Sequence, residues 1–222
     1  GLYGKTLGAF QQERAKELGL DVVEVLPYSA KAVDLSALIL RLRGAQADVV
    51  LQTSYQNDTI LFFRQAKSAG YKPKAVLGAG GGYSLTDTAK ALGDTIEGAF
   101  DVDFPQYNTN EAGAPGLGAF VEAYKQQYNS EPRSGHSLAN YVGAVAFFDI
   151  IEQAGSMDAD KIREAVLAYK KPVGSTATGW GFDFAENGQN TAATTTLMQW
   201  QDGKLLTVWP EAAAVAKPIV NK

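Results

Sequence analysis

Hydrophobic and polar positions follow two different spacings over residues 1–105. In DLSALILRLRG, apolar residues recur every three or four positions, which predicts an amphipathic helix that Asp34 caps and Gly44 ends. Short runs rich in valine predict strands instead. The predicted strands are 21–27, 48–52, 74–78 and 96–104, and the predicted helices are 4–18, 34–44, 58–70 (from an Asp58 cap) and 84–93. This alternation is typical of βαβ units in a parallel sheet, so the pattern predicts an α/β fold.

The pattern changes after residue 105. A segment rich in glycine, asparagine and proline, 107–118, predicts a connection between domains. The helices predicted beyond it are 119–129, 137–155 and 158–169. A turn is expected at Asn187-Gly188, and Asp202-Gly203 predicts a β-hairpin over 195–210.

The segment DVVLQTSYQND, residues 48–58, begins as a strand that the pattern predicts to be fully buried and ends in hydrogen-bonding side chains. In open parallel sheets, ligands bind at the carboxyl ends of the strands. We therefore expect this polar tail to line a ligand-binding edge. The same edge is expected to receive Tyr28, Gly80, Gly81, Gly82, Tyr83, Asp101 and Asp103.

Composition narrows the class of protein further. The chain has 222 residues, 45% of them hydrophobic and 20% charged, as in an ordinary globular protein. A net charge of -4 without any basic run argues against a nucleic-acid partner. The chain has no cysteine, which excludes disulfides and thiol chemistry, and no apolar stretch long enough to span a membrane. A strand is expected ahead of the first helix, so we expect further sequence before residue 1 in the natural protein.

Motifs for catalysis are weak. The single histidine, His136, heads a predicted helix and is interpreted as a cap or surface residue. GAGGGYS, residues 78–84, lacks the third glycine of a dinucleotide fingerprint because Tyr83 stands there. Asp101 and Asp103 alternate on one strand, so they face the same side; they are interpreted as a general acid–base pair, as strand-end residues that bind a ligand cation, or as solvated groups. We expect no enzyme activity, no cofactor and no metal.

Several segments together resemble one known family. YGKTLGAFQQERAKELG, YSAKAVDLSALILRLRGAQADVVLQTSY, FFRQAKSAGYKP, LANYVGAVAFFDIIEQAG and FDFAENGQN are similar to the periplasmic leucine/isoleucine/valine-binding proteins, the type I solute-binding proteins of ABC importers. The resemblance implies two α/β lobes that close on a ligand. It implies that 1–105 form most of the C-terminal lobe, that 106–193 return to the N-terminal lobe, and that 194–222 return to the C-terminal lobe and form a tail. Most of the N-terminal lobe is then absent from this sequence.

The resemblance also implies a role and a place for the protein. The expected function is capture of a small polar molecule in an interlobe cleft for an importer permease in the membrane. The expected location is the periplasm, or the cell surface with a lipid anchor in a Gram-positive organism. A ligand-sensing module of a receptor is the alternative, and an α/β hydrolase that uses Asp101 and Asp103 is a remote one.

Individual positions can be carried over from the family. Tyr3 matches the tyrosine of its Tyr-Gly motif, and Tyr55 matches the tyrosine after its Asp-Val-Val strand; both contact the ligand in relatives. Ala79 stands where amino-acid binders place a glutamate that pairs with the ligand ammonium. Either Asp101 or Asp103 supplies that charge, or the ligand is an amine-free carboxylate or amide, because a buried ammonium without an anion costs several kcal/mol. The predicted ligand-binding residues are Tyr3, Ser54, Tyr55, Ala79, Gly80, Tyr83, Asp101 and Asp103.

Overall fold

A computed structural model describes residues 1–220, which divide into two compact units. The first unit comprises Gly1–Asp103, Met198–Leu205 and the C-terminal residues from Pro218, and the second comprises Phe104–Leu197 and Leu206–Lys217. The assignment of 1–105, 106–193 and 194–222 to two lobes stays a prediction, and the last two residues of the predicted tail lie outside the described part.

Parallel strands and helices alternate in the first unit. Its elements are α1 (Leu2–Glu17), α2 (Ser36–Gly44), β1 (Val49–Thr53), α3 (Gln56–Ser68), β2 (Ala75–Ala79), α4 (Gly81–Ser84), α5 (Thr86–Leu92), a 3-10 turn (Gly93–Ile96) and β3 (Phe100–Asp103). β1 pairs with β2 and β2 with β3, all in parallel. In that register Gln52 faces Gly78, and Gly78 faces Asp101, so the three positions form one row across the sheet.

The second unit is mainly helical. Its elements are a 3-10 turn (Glu111–Gly113), α6 (Leu117–Tyr128), α7 (Gly135–Ala154), α8 (Ala159–Ala168), β4 (Lys170–Lys171) and β5 (Phe182–Asp183). The hairpin β6 (Thr196–Gln201) and β7 (Lys204–Trp209) follows, and its residues are shared between the two units. β6 and β7 complete a five-stranded sheet of order β1-β2-β3-β6-β7.

Each unit has its own apolar core. In the first, Ile39 of α2, Val50 of β1 and Phe63 of α3 pack with Tyr83 and with Trp200 of β6. In the second, the apolar sides of α6 and α7 pack with α8, with β5 and with the segments on either side of β4. No helix in the described part of the chain is both long and apolar enough to cross a bilayer.

Most predicted elements of residues 1–105 are present, with four differences. Residues 21–27 are irregular, because they have no ladder partner within residues 1–220. β1 is half-buried rather than fully buried, since Val49 and Leu51 lie on an exposed face. The predicted helix 84–93 is divided, and β3 begins only at Phe100. Left-handed glycines at 93 and 98 interrupt the chain before that strand.

Two predicted caps are displaced by one or more positions. Leu35, not Asp34, is the N-cap of α2, although the Asp34 carboxylate accepts from the Ser36 N–H at 2.8 Å. Asp58 lies in the first turn of α3 rather than at its cap, which is Tyr55. The predicted hairpin turn is confirmed, with positive φ angles at both Asp202 and Gly203.

Gly78 is a position where the fold requires glycine. A Cβ there would overlap the ring of Tyr83. We expect Gly78→Ala to lower the free energy of unfolding by about 3 kcal/mol, because the rigid ring has to move. Gly44→Ala is the matched control in the same unit: its added Cβ meets nothing within 4 Å, and the change should stay within about 1 kcal/mol. Urea denaturation measures both, and equal stability of the two variants would contradict the packing described.

Candidate ligand-binding site at the strand ends of the first unit

A chain of hydrogen bonds links the polar tail of β1 to the turn after β2. The Tyr83 hydroxyl donates to Gln52 Oε1 at 2.5 Å, and Gln52 Nε2 donates to the Tyr28 hydroxyl at 3.0 Å. The Tyr28 hydroxyl in turn donates to Asp58 Oδ2 at 2.8 Å. Burial, and then the hydrogen bond to Asp58, raises the pKa of Tyr28. Much of the polar tail is therefore hydrogen-bonded inside the protein and stabilises this edge of the sheet.

The same tail fixes the start of α3. The other Asp58 oxygen, Oδ1, accepts from the Tyr55 N–H at 2.9 Å, which satisfies one of the donors that a helix start leaves free. Thr59 Oγ1 lies 2.6 Å from Ser54 Oγ and donates to the Tyr55 carbonyl at 2.8 Å. With the backbone held in this way, the Tyr55 side chain stays 59% exposed.

Gly80 allows Tyr3 of α1 to approach the end of β2. Its φ of 101° lies in the region that favours glycine. A Cβ at Gly80 would come within 3.2 Å of the Tyr3 hydroxyl and 3.4 Å of the Ser54 carbonyl, so the tip of Tyr3 lies directly over the glycine. The rings of Tyr3 and Tyr55 are 6.4 Å apart, and Tyr3 remains 45% exposed. The two accessible tyrosines thus lie next to each other, with the tip of Tyr3 on Gly80.

β3 contributes two carboxylates to this end of the sheet. Alternation along the strand directs Asp101 and Asp103 to the same face, while Val102 faces the other way. Asp103 is 8% exposed and accepts from the Ser84 hydroxyl at 2.8 Å. Asp101 is fully buried, and neither of its oxygens has a hydrogen-bond partner. A buried carboxylate without a donor is costly, so Asp101 is the least satisfied group of the site.

The electrostatics agree with this arrangement. Burial, and then the charge of Asp103, raises the pKa of Asp101 well above its ordinary value of 3.8. The backbone N–H of Val102 lowers that pKa, although it does not meet the geometry of a hydrogen bond to either oxygen. Burial also raises the pKa of Tyr3, and the charges of Asp103 and Asp101 raise it further. The charges of both carboxylates therefore act on the Tyr3 hydroxyl.

The predicted site residues differ in accessibility. All eight lie in the first unit, and their role in binding stays a prediction. Only Tyr3 and Tyr55 present large exposed side chains. Tyr83 is fully buried, so it supports the edge and has no surface for a ligand in this conformation. Ala79 is buried beside Gly80 and offers no charge. Sequence reasoning missed Ser84 and Thr59, whose only signal is their position close after a strand end.

Other polar groups do not join this site. His136 belongs to the second unit, where its ring lies 4.9 Å from the Phe104 ring and its backbone N–H donates to the hydroxyl of Ser134, the N-cap of α7. A cavity of about 230 Å³ in the second unit contains Asp149 and Lys171. Asp149 already accepts from the Tyr169 hydroxyl at 2.8 Å, unlike Asp101. No group of metal-binding residues is found within residues 1–220.

Comparison with known proteins places the chain in a family. The sequence profile of the periplasmic binding protein family matches residues 3–204. The Leu/Ile/Val-binding protein homolog 8 of Brucella abortus strain 2308 is 53% identical over 216 residues, which cover 97% of this chain and 54% of that protein. The chain therefore belongs to the periplasmic binding protein family, and this match confirms the resemblance seen in its sequence. It spans about half the length of the curated relatives it matches.

Solved structures confirm the fold. The leucine-binding protein LivK of Thermotoga maritima matches with a TM-score of 0.79 at 25% identity, over 94% of this chain and 56% of that one. A fatty acid ABC transporter substrate-binding protein of Thermomonospora curvata matches with a TM-score of 0.72 at 21% identity, over 91% of this chain and 52% of that one. The predicted type I periplasmic-binding-protein fold is therefore correct.

The Tyr83 hydroxyl has a measurable structural role. We expect Tyr83→Phe to lower the free energy of unfolding by about 1–2 kcal/mol, because it leaves Gln52 Oε1 buried without its donor. Tyr55→Phe is the control, since the exposed Tyr55 ring should tolerate the loss of its hydroxyl with almost no change. Chemical denaturation of both variants checks this, and a neutral Tyr83→Phe would show that the network does not support the edge.

Asp101 predicts a pH-dependent stability. Because its pKa is raised in the folded state, the folded protein holds that proton more tightly than the unfolded chain does. The wild type should therefore lose stability as pH rises from about 4 through the raised folded pKa. Asp101→Asn lacks this loss. Its free energy of unfolding should therefore exceed that of the wild type by an amount that grows between pH 4 and pH 8.

The control for that measurement is Asp94→Asn, which removes an exposed carboxylate from the same unit. Its difference from the wild type should stay nearly constant with pH. A constant difference for Asp101→Asn as well would mean that Asp101 titrates normally, against the burial described here.

Proposed function

We propose that the protein that carries this chain is an extracytoplasmic solute-binding protein, which captures a small polar molecule and delivers it to an ABC importer in the membrane. The observation that supports this most is the strand-end patch of the first unit, where exposed Tyr3 and Tyr55 border Gly80 beside two carboxylates. An accessible aromatic border with a few placed polar groups is the usual composition of a small-molecule site.

The family supports a binding role without catalysis, because its members are substrate-binding proteins of transporters. The polar groups of the patch agree with that role. Ser84 donates to Asp103, and the Ser54 and Thr59 hydroxyls hydrogen-bond to each other. These hydroxyls therefore stabilise the local structure rather than forming a catalytic centre. The family also supports a periplasmic location and an importer permease as partner, and both belong to the same proposal.

The chemical class of the ligand is a separate question. The curated relative is named for leucine, isoleucine and valine, whereas one structure of the same fold is named for a fatty acid. Ala79 removes the carboxylate that would pair with an ammonium in amino-acid binders. The fold therefore suits both amine-bearing and amine-free ligands, and residues outside position 79 must decide between them.

A thermal-shift panel tests the binding role. The full natural protein is scanned against the common amino acids and against aliphatic and aromatic carboxylates and amides. A ligand at 1,000 times its Kd stabilises by about 4 kcal/mol, so a true ligand should raise the melting temperature by several degrees.

Tyr55→Ala is the matched variant for this panel, because it removes an exposed ring and leaves the Tyr55 N–H bond to Asp58 in place. We expect its ligand-free melting temperature to match that of the wild type and its ligand-induced shift to be smaller. A panel in which no compound shifts the wild type would overturn the proposed binding role.

A further inference from the structure

Asp101 is the carboxylate of the strand-end patch that has no hydrogen-bond donor among the described residues. Its side chain points to the same face of the sheet as Gln52 and the Tyr83 ring, because Gln52, Gly78 and Asp101 share a row. Gln52 in that row is satisfied by Tyr83 and Tyr28, while both Asp101 oxygens remain without a donor. No Lys, Arg or His of residues 1–220 forms an ion pair with Asp101 or otherwise perturbs its pKa. Its surroundings lack positive charge.

Asp103 lies two residues further toward the carboxyl end of β3, about 7 Å along the strand. It keeps a small accessible surface, and Ser84 orients its carboxylate. Tyr3 lies close enough for the charge of Asp103, and more weakly that of Asp101, to affect its hydroxyl. The Tyr3 hydroxyl also lies over Gly80. Solvent exposure thus decreases from Tyr3 through Asp103 to Asp101.

We propose that Asp103 and Asp101 form the cation-binding end of the ligand site, in which a ligand ammonium group contacts Asp103 and is attracted by both carboxylates. The proposal rests on the proposed binding function and names its ligand class. The ammonium approaches Asp103 from the accessible side of the patch, where Tyr3 is exposed. β3 thereby supplies the negative charge that Ala79 cannot supply from β2.

The buried carboxylate gives this arrangement a specific pH dependence. A cation near Asp103 favours the ionised form of Asp101, so ligand binding releases the Asp101 proton to solvent and affinity rises with pH. The other titratable groups that face Asp101 are Asp103 on its own strand, Tyr83 of α4 and Tyr3 of α1. Burial raises the pKa of both tyrosines, so neither tyrosine changes charge between pH 5 and pH 8.

Calorimetry on matched pairs of compounds tests the proposal. The probes are each amino acid that shifts the melting temperature and the carboxylic acid with the same carbon skeleton but no amine, such as leucine and 4-methylpentanoate. We expect the amine-bearing member to bind at least about thirtyfold more tightly, as expected for a desolvated charge pair. This comparison needs no variant, so it holds even if a variant fails to fold.

Two variants then locate the charge. Asp103→Asn keeps an acceptor for Ser84, and it should weaken binding of the amine at least about thirtyfold at pH 7 while leaving the amine-free acid nearly unchanged. Asp101→Asn should weaken amine binding less and should abolish the rise of affinity between pH 5 and pH 8. Asp94→Asn, an exposed position with the same change of net charge, should stay within about twofold.

The possible results separate the two proposals. Tighter binding of amine-free acids, or amine binding that Asp103→Asn does not weaken, overturns the cation site and leaves the binding function in place. An affinity that stays pH-dependent in Asp101→Asn removes Asp101 from the proposed pair. Absence of binding by every compound overturns the binding function, and the cation site with it.

Discussion

The ring of Tyr83 on Gly78, with its hydroxyl on Gln52, is the contact on which the strand-end edge depends. It ties the turn after β2 to the polar tail of β1, and from Gln52 the hydrogen bonds continue through Tyr28 to Asp58 at the start of α3. Because these side chains hydrogen-bond to one another, they hold the edge in place without a ligand. A preorganised edge lowers the entropy cost of binding.

Asp101 differs from these hydrogen-bonded residues. Tyr83, Gln52 and Ser84 at this edge are hydrogen-bonded, whereas both Asp101 oxygens are buried and have no donor. Keeping such a group lowers stability, as buried charges usually do unless they are paired. A functional site is where a protein tolerates such a cost, and the adjacent Asp103 and Tyr3 provide the accessible surface through which a cation can approach.

Local patterns predicted much of this fold and only part of the site. The helix over Leu35 and Ile39 and the hairpin at Asp202-Gly203 follow from short-range periodicity and turn chemistry, and both are present. The run 21–27 has strand composition but no strand partner within residues 1–220, which the run itself cannot reveal. Likewise, the approach of Tyr3 to Gly80 and the isolation of Asp101 depend on long-range packing.

The most direct test of this account is a carbon-13 NMR titration of the Asp101 carboxyl group, assigned with Asp101→Asn, in the protein alone and with a saturating amino acid. The account predicts that the pKa of Asp101 is raised in the free protein and falls when the ligand binds, because the ligand supplies the missing positive charge. An Asp101 pKa that is normal in the free protein, or that does not move on binding, would contradict it.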